Sequence, residues 1–159
     1  KTQPHGSAKE PVRPLSLSLN AGASFVARTA AVNPNQAKEL IKEAIEHDGF
    51  AHIDFLTQCP TWNKDAKQYV PYIDVNENDD YDFDPTNRDE AAAMMRETEE
   101  ALHEGKVLTG KYYVDEDRPS YQQEKQQIGE MPEEPLAEQY FDDSYEWERS
   151  ADLFIDDHK

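Results

Sequence analysis

The spacing of apolar residues changes twice within the first sixty positions. Ala37, Leu40, Ile41, Ala44 and Ile45 recur at i, i+3, i+4, i+7 and i+8, which makes one apolar stripe on a helix. Asn33 stands at the cap position and Pro34 suits the first turn. His47 suits the negative end, and Gly49 supplies a left-handed stop. On both sides of this helix the pattern reads as strand. "ASFVART" centres on Phe25 and Val26, and "FAHIDFLTQ" places Ala51, Ile53 and Phe55 on one face. Strand, amphipathic helix, strand is a βαβ unit, so the two strands are expected to be parallel with a right-handed crossover. Ahead of it, "KTQPHGSAKEPVRP" has no apolar period. Leu15, Leu17 and Leu19 alternate as in a strand, yet Pro14 and Gly22 equally frame a short helix, and local pattern leaves both open.

Beyond Asn63 the character shifts. "YVPYIDVNENDDYDFDP" reads as a long acidic loop. "NRDEAAAMMRETEEALHEG" reads as a second helix with Ala91, Met94, Met95 and Leu102 roughly on one face and Gly105 as its stop. "KVLTGKYYVDEDRPSY" reads as a short strand and a turn. From residue 122 the chain is rich in Asp and Glu, with Tyr140, Phe141, Tyr145, Trp147 and Phe154 interspersed. Three segments are therefore expected: 1–70 with the βαβ unit, 71–121 with the acidic loop, helix and strand, and 122–159 as an acidic tail.

Composition narrows the partners. With 34 Asp and Glu against 16 Lys and Arg, the net charge is −18, which disfavours nucleic acid and anionic membrane surfaces. No apolar run approaches the roughly 20 residues of a membrane span, and no signal peptide is visible. One cysteine permits no internal disulfide, which fits a reducing cytoplasm. The first residue is Lys rather than Met, the pattern of a fragment or processed product. The acidic excess is spread along the chain. It fits an acidic interaction protein less well than adaptation to concentrated salt, where the Debye length falls to about 3 Å and crowded carboxylates hardly repel.

Candidate chemistry is sparse. Asp74, Asn76 and Asn78 fall at the first, third and fifth positions of a calcium loop, but the sixth is Asp79 instead of Gly and the twelfth is Pro85 instead of Glu. A zinc site from His47, His52 and Cys59 lacks paired ligands at short spacing, and His52 and Cys59 face opposite ways on a continuous strand. The histidines read as surface residues. Cys59, at the close of "HIDFLTQCPTWN", stands just past the carboxyl end of the second strand, where ligands of open parallel sheets gather. Composition alone favours a buried structural thiol there; the Cys-Pro junction is also compatible with a metal or cluster ligand.

Two longer runs, "PLSLSLNAGASFVART" and "NPNQAKELIKEAIEHDGFAHIDFLTQCPTWN", together resemble the C-terminal half of the β subunit of 2-oxoacid:ferredoxin oxidoreductases, most closely haloarchaeal members. The Gly-Ala-Ser-Phe-Val-Ala-Arg run is Gly22 to Arg28, and the Cys-Pro-Thr-aromatic-Asn signature is Cys59 to Asn63. "TGKYYVDEDRPSY" is similar to a segment near the subunit's end. The resemblance implies an α/β class, a partial thiamine-diphosphate-binding fold followed by an acidic extension, and it makes the first leucine-rich segment a helix.

The resemblance further implies oxidative decarboxylation of pyruvate or 2-oxoglutarate to acyl-coenzyme A, with thiamine diphosphate, Mg²⁺ and a [4Fe–4S] cluster as cofactors. An α subunit, ferredoxin and coenzyme A are the implied partners, in the cytoplasm. Cys59 is implied as the cluster's fourth ligand, its three fellow cysteines and the Gly-Asp-Gly diphosphate motif lying in a part of the subunit that this sequence lacks. Backbone amides of Pro60 to Asn63 are expected to donate to cluster sulfur, and no catalytic residue is assigned. Such a segment is not expected to be active alone. The competing expectation is a stand-alone acidic interaction module. The salt reading has a direct check: dialysis from molar KCl into dilute buffer should reduce the helical circular dichroism of the chain, and unchanged ellipticity would remove it.

Overall fold

Pro14 opens a helix rather than a strand. In the computed structural model, which describes residues 8–57, 59 and 72–127, helix α1 spans Pro14–Asn20. Leu15 and Leu19, one helical turn apart, are buried, while Leu17 is 60% exposed. The apparent alternation of three leucines is thus an i, i+4 pair plus one outward residue.

Strand β1 (Phe25–Ala30) follows and is buried along its whole length. Helix α2 (Pro34–Glu46) begins as expected, with the Asn33 side chain accepting from the Gln36 backbone N–H at 3.3 Å. Strand β2 (Ala51–Leu56) pairs with β1 in parallel, Phe25 opposite Ala51 through Ala30 opposite Leu56. The apolar stripe of α2 is only half used. Ala37 and Leu40 are buried, whereas Ile41 and Ile45 are exposed.

The acidic segment contributes a three-residue strand, β3 (Tyr72–Asp74), and helix α3 covers Arg88–Ala101, closed by a 3₁₀ turn to Glu104. The strand expected to be short, β4 (Val107–Val114), is eight residues long and sits inside the sheet. The order is β2-β1-β4-β3, with β4 antiparallel to β1 and parallel to β3. A bulge near Tyr112 breaks the β1–β4 register between Val26 and Ala27. The class is mixed α/β.

Helices cover both faces. Leu15, Leu19, Val26, Met95, Leu108 and Tyr112 pack together on the α1/α3 side. Phe25, Ala27 and Leu40 pack on the α2 side, joined by Ala51 and Ile53. Residues 121–159 form a separate unit, of which helix α4 (Tyr121–Gln127) is described.

Helix α1 is too short to be stable alone, and α3 holds it at both ends. Its cap position, Arg13, makes no side-chain cap bond. The Glu99 carboxylate does the work instead: Oε1 accepts from the N–H groups of Leu15 (3.0 Å) and Ser16 (3.2 Å), and Oε2 accepts from Ser16 Oγ at 2.6 Å. At the other end Arg88 Nη2 donates to the Leu19 carbonyl at 3.0 Å. Anion at the N-terminus and cation at the C-terminus both match the helix dipole. Glu99 is 7% exposed, so truncating it strands two helix N–H groups in the interior. Glu99→Ala is expected to destabilise the chain by about 3 kcal/mol, read by urea unfolding at high salt; a loss within the scatter of surface substitutions would contradict the clamp.

Candidate functional site

The residues with chemistry gather around the two parallel strands, and the sheet explains why. Arg28 lies in the middle of buried β1 and is 2% exposed. A guanidinium cannot be discharged there, so it needs a carboxylate. Asp54, its register partner on β2, supplies one, with Nε to Oδ2 at 2.7 Å. On the α2 face of the same strand, Thr29 Oγ1 donates to Gln36 Oε1 at 2.9 Å. Gln36 Nε2 in turn donates to Asp74 Oδ2 (2.6 Å) and Thr109 Oγ1 (3.1 Å). One side chain of α2 thereby ties β1, β3 and β4 together.

Past this network β2 ends at Leu56, and Cys59 follows three positions later. Its thiol is free and its side chain half-buried. Two features suit it to hold a soft metal: position beyond the carboxyl ends of two parallel strands, and partial access. Pro60 to Asn63, where amide donors to cluster sulfur are expected, lie outside the described residues.

The histidines are less superficial than their sequence suggests. His47 Nε2 is 2.8 Å from Ser24 Oγ, and its ring packs 5.6 Å from that of Phe25. Ser24 Oγ also accepts from the Phe50 N–H at 3.1 Å. Gly49 approaches the same hydroxyl so closely that a Cβ would lie 2.5 Å from it. This cluster sits at the amino ends of β1 and β2. Six strand residues, roughly 20 Å, separate it from Cys59, so the two do not meet. His52 lies on β2, and its Nε2 is buried without a hydrogen-bond partner among the described residues. No group of three or more His, Cys, Asp and Glu side chains converges among the described residues.

The acidic segment has a structural task that its sequence conceals. Asp74 Oδ1 accepts from the Asn76 N–H, and Asn78 Oδ1 accepts from the Asp80 N–H. The Asn76 amide grips the backbone of Lys111, accepting from its N–H at 2.6 Å and donating to its carbonyl at 2.8 Å. Val75 N–H reaches the Thr109 carbonyl, and the Pro85 carbonyl receives the Val114 N–H. The segment therefore closes the outer edge of β4. Gly110 permits this approach: φ is +133°, and a Cβ would stand 2.5 Å from Asn76 Oδ1. Between this segment and α2 lies an open cleft of about 1110 Å³. It contains Glu39, Glu43, Asp74, Glu77, Asp79 and Asp82, and Lys111, whose Nζ is 2.8 Å from Glu43. Asp84, exposed just after it, has its pKa held below the usual carboxylate value by the hydroxyl and N–H of Thr86. Among the described residues no helix is long and apolar enough to cross a membrane.

Known proteins carry the same architecture. No family model matches the chain. A 2-oxoacid:ferredoxin oxidoreductase β subunit of a Sulfolobus species is 32% identical over 128 residues, 77% of this chain and 42% of the relative. A 2-oxoglutarate synthase subunit of Archaeoglobus fulgidus is 41% identical over 61 residues, 38% of this chain and 23% of the relative. Among solved structures, 2-oxoglutarate:ferredoxin oxidoreductase from Magnetococcus marinus, with 2-oxoglutarate, coenzyme A and succinyl-CoA bound, superposes with a TM-score of 0.65. That match is 28% identical and covers 88% of this chain and 47% of the other. The chain is homologous to part of a 2-oxoacid:ferredoxin oxidoreductase β subunit. It spans less than half the length of the β subunits it matches.

In this β-subunit segment, Tyr112 is the group whose titration reports on the buried polar cluster. Its pKa is pushed well up by burial, opposed by the hydrogen bond from Thr98 Oγ1 (3.1 Å) and by the charge of Arg28, and reinforced by Asp74 and Asp54. A raised folded pKa gives stability that is complete below the ordinary value of 10.0 and is lost as pH climbs above it. Above pH 10 the unfolding free energy should fall by roughly 1.4 kcal/mol per pH unit from this group. Tyr112→Phe should remove that component of the slope; an unchanged alkaline profile would count against the assignment.

Proposed function

We propose that this chain is the portion of a 2-oxoacid:ferredoxin oxidoreductase β subunit that supplies Cys59 as one thiolate ligand of a [4Fe–4S] cluster. The whole enzyme would convert a 2-oxoacid and coenzyme A to acyl-CoA and CO₂, passing electrons to ferredoxin. The observation that carries this reading is the place of Cys59, half-buried just past the carboxyl ends of two parallel strands, in a chain homologous to such subunits.

The chemistry of the donor set agrees in a limited way. A single thiolate can occupy one of the four positions of a cluster, and a half-buried sulfur gives partial shielding from water. The described residues bring no second soft donor, so they fit one corner of the cluster and not the whole. When bound, thiamine diphosphate supplies the nucleophilic carbon and electron sink for decarboxylation, and the cluster supplies one-electron transfer. What this chain's residues do is positional. Cys59 must lose its proton to bind iron. The Arg28–Asp54 pair, five positions before Cys59, anchors the carboxyl half of β2 to the central strand and so limits where the thiolate can stand. The α subunit, ferredoxin, Mg²⁺ and a cytoplasmic setting belong to the same proposal. For the substrate, 2-oxoglutarate and pyruvate are the candidates; two of the relatives carry 2-oxoglutarate in their names.

Cys59→Ser in the complete β subunit, assembled with its partner subunit, is expected to remove the cluster's visible absorbance. It should lower 2-oxoacid-dependent ferredoxin reduction at least about tenfold, with far-ultraviolet circular dichroism unchanged. Full cluster content with undiminished electron transfer would defeat the reading.

A further inference from the structure

The two edges of the sheet are treated differently. Beyond β4, the edge ends in a strand of only three residues and is sealed by Asn76, Val75 and Pro85. A short, covered edge is how proteins avoid unwanted strand pairing. At the opposite edge β2 pairs only with β1 among the described residues. Its sequence, Ala-His-Ile-Asp-Phe-Leu, has no Lys, no Pro and no bulge, and its one carboxylate is turned to Arg28. In a strand bonded on one side, alternate N–H and C=O groups point outward unpaired.

Exposed apolar side chains collect beside that same edge. Gln36 and Glu43 mark one flank of α2, since they reach β3 and β4. Ile41 and Ile45 lie close to half a turn around the helix from them, on the β2 side, and Ile45 is 78% exposed. Phe50, at the entrance to β2, and Phe55, within it, are also exposed. His52 adds a buried ring nitrogen without a partner on the same strand. An interior-type strand, a half-used amphipathic helix and an orphan polar atom are what a sheet looks like when its next strand is missing.

We infer that the β2 edge is an interface that accepts a further β-strand, contributed by the part of the β subunit that this chain does not span. This rests on the subunit reading above. The occupant follows from length: the relatives' β subunits are more than twice as long as the part matched here, and the chain's other edge is already closed. The added strand should present apolar residues on the α2 face to cover Ile41, Ile45 and Phe55.

Amide hydrogen exchange measured by mass spectrometry tests this on the chain in molar KCl and on the complete β subunit assembled with its partner. In the chain alone, peptides covering 51–56 should exchange at least about tenfold faster than those covering 25–30, and in the complete subunit that difference should disappear. Equal protection in the chain alone would overturn the inference, as would continued fast exchange in the complete subunit. Protection that rises with chain concentration would assign the edge to a second copy and equally overturn it. Ile45→Lys, at an exposed position, should leave the circular dichroism of the chain unchanged. Supplied as a separate polypeptide with the remainder of the subunit, it should assemble several-fold less; undiminished assembly would count against the interface. Cys59→Ser should keep β2 protected in the complete subunit, so failure of the cluster reading and failure of the edge reading appear in different measurements.

Discussion

Burial of Arg28 is the constraint on which the rest of this fold turns. β1 has neighbours on both edges and helices on both faces, and all six of its residues are buried. A permanent positive charge in that strand is tolerable only against a carboxylate. Asp54 meets it from the directly opposite position on β2. A slip of one residue would set Arg28 opposite Ile53 or Phe55 and turn the apolar set of β2 to the wrong face. The ion pair therefore selects the β1–β2 register, and the register determines where β2 stops and where Cys59 emerges.

The second level of organisation is polar and long-range. Gln36 gathers Thr29, Asp74 and Thr109 from three strands, and Glu99 with Arg88 brackets α1 from a helix more than sixty positions away. These contacts explain how a sequence with modest apolar content keeps its elements in register. Much of its buried surface is joined by specific hydrogen bonds, which define geometry more sharply than hydrocarbon does. They also give the acidic residues several distinct duties. Glu99 caps a helix, Asp54 neutralises a cation, Asp74 anchors a turn, and the exposed remainder carries the net charge.

Local signals were readable where one residue answers a local need. Asn33 and Pro34 start α2 in the sequence as they do in the structure, and the parallel βαβ unit follows from two strands flanking one amphipathic helix. The apolar stripe overstated the burial of α2, because periodicity reports which residues share a face and not whether that face is covered. Leu15, Leu17 and Leu19 fit two periods at once, and the resemblance to a known family decided for the helix that is found. The cap from Glu99 has no sequence signature, since its partners Leu15 and Ser16 are remote. The interior place of β4 was hidden for a similar reason: its residues alternate like any strand, and only the clamp from Asn76 and the glycine at 110 make room for the segment that closes its edge. Cys59 was visible as the one thiol at a strand end, while its neighbours' geometry was not.

The antiparallel insertion of β4 has a consequence for how the chain acquires its shape. β1 cannot complete its ladder with the βαβ unit alone; its other edge waits for residues 110–114, about eighty positions downstream, and such distant pairing is slow to form. During synthesis the first strands would leave the ribosome with one side unsaturated, held by a partial assembly until the last strand arrives. The central strand is thus among the first parts made and the last to be enclosed, and that interval is when a nascent polypeptide of this kind is most exposed to misassociation.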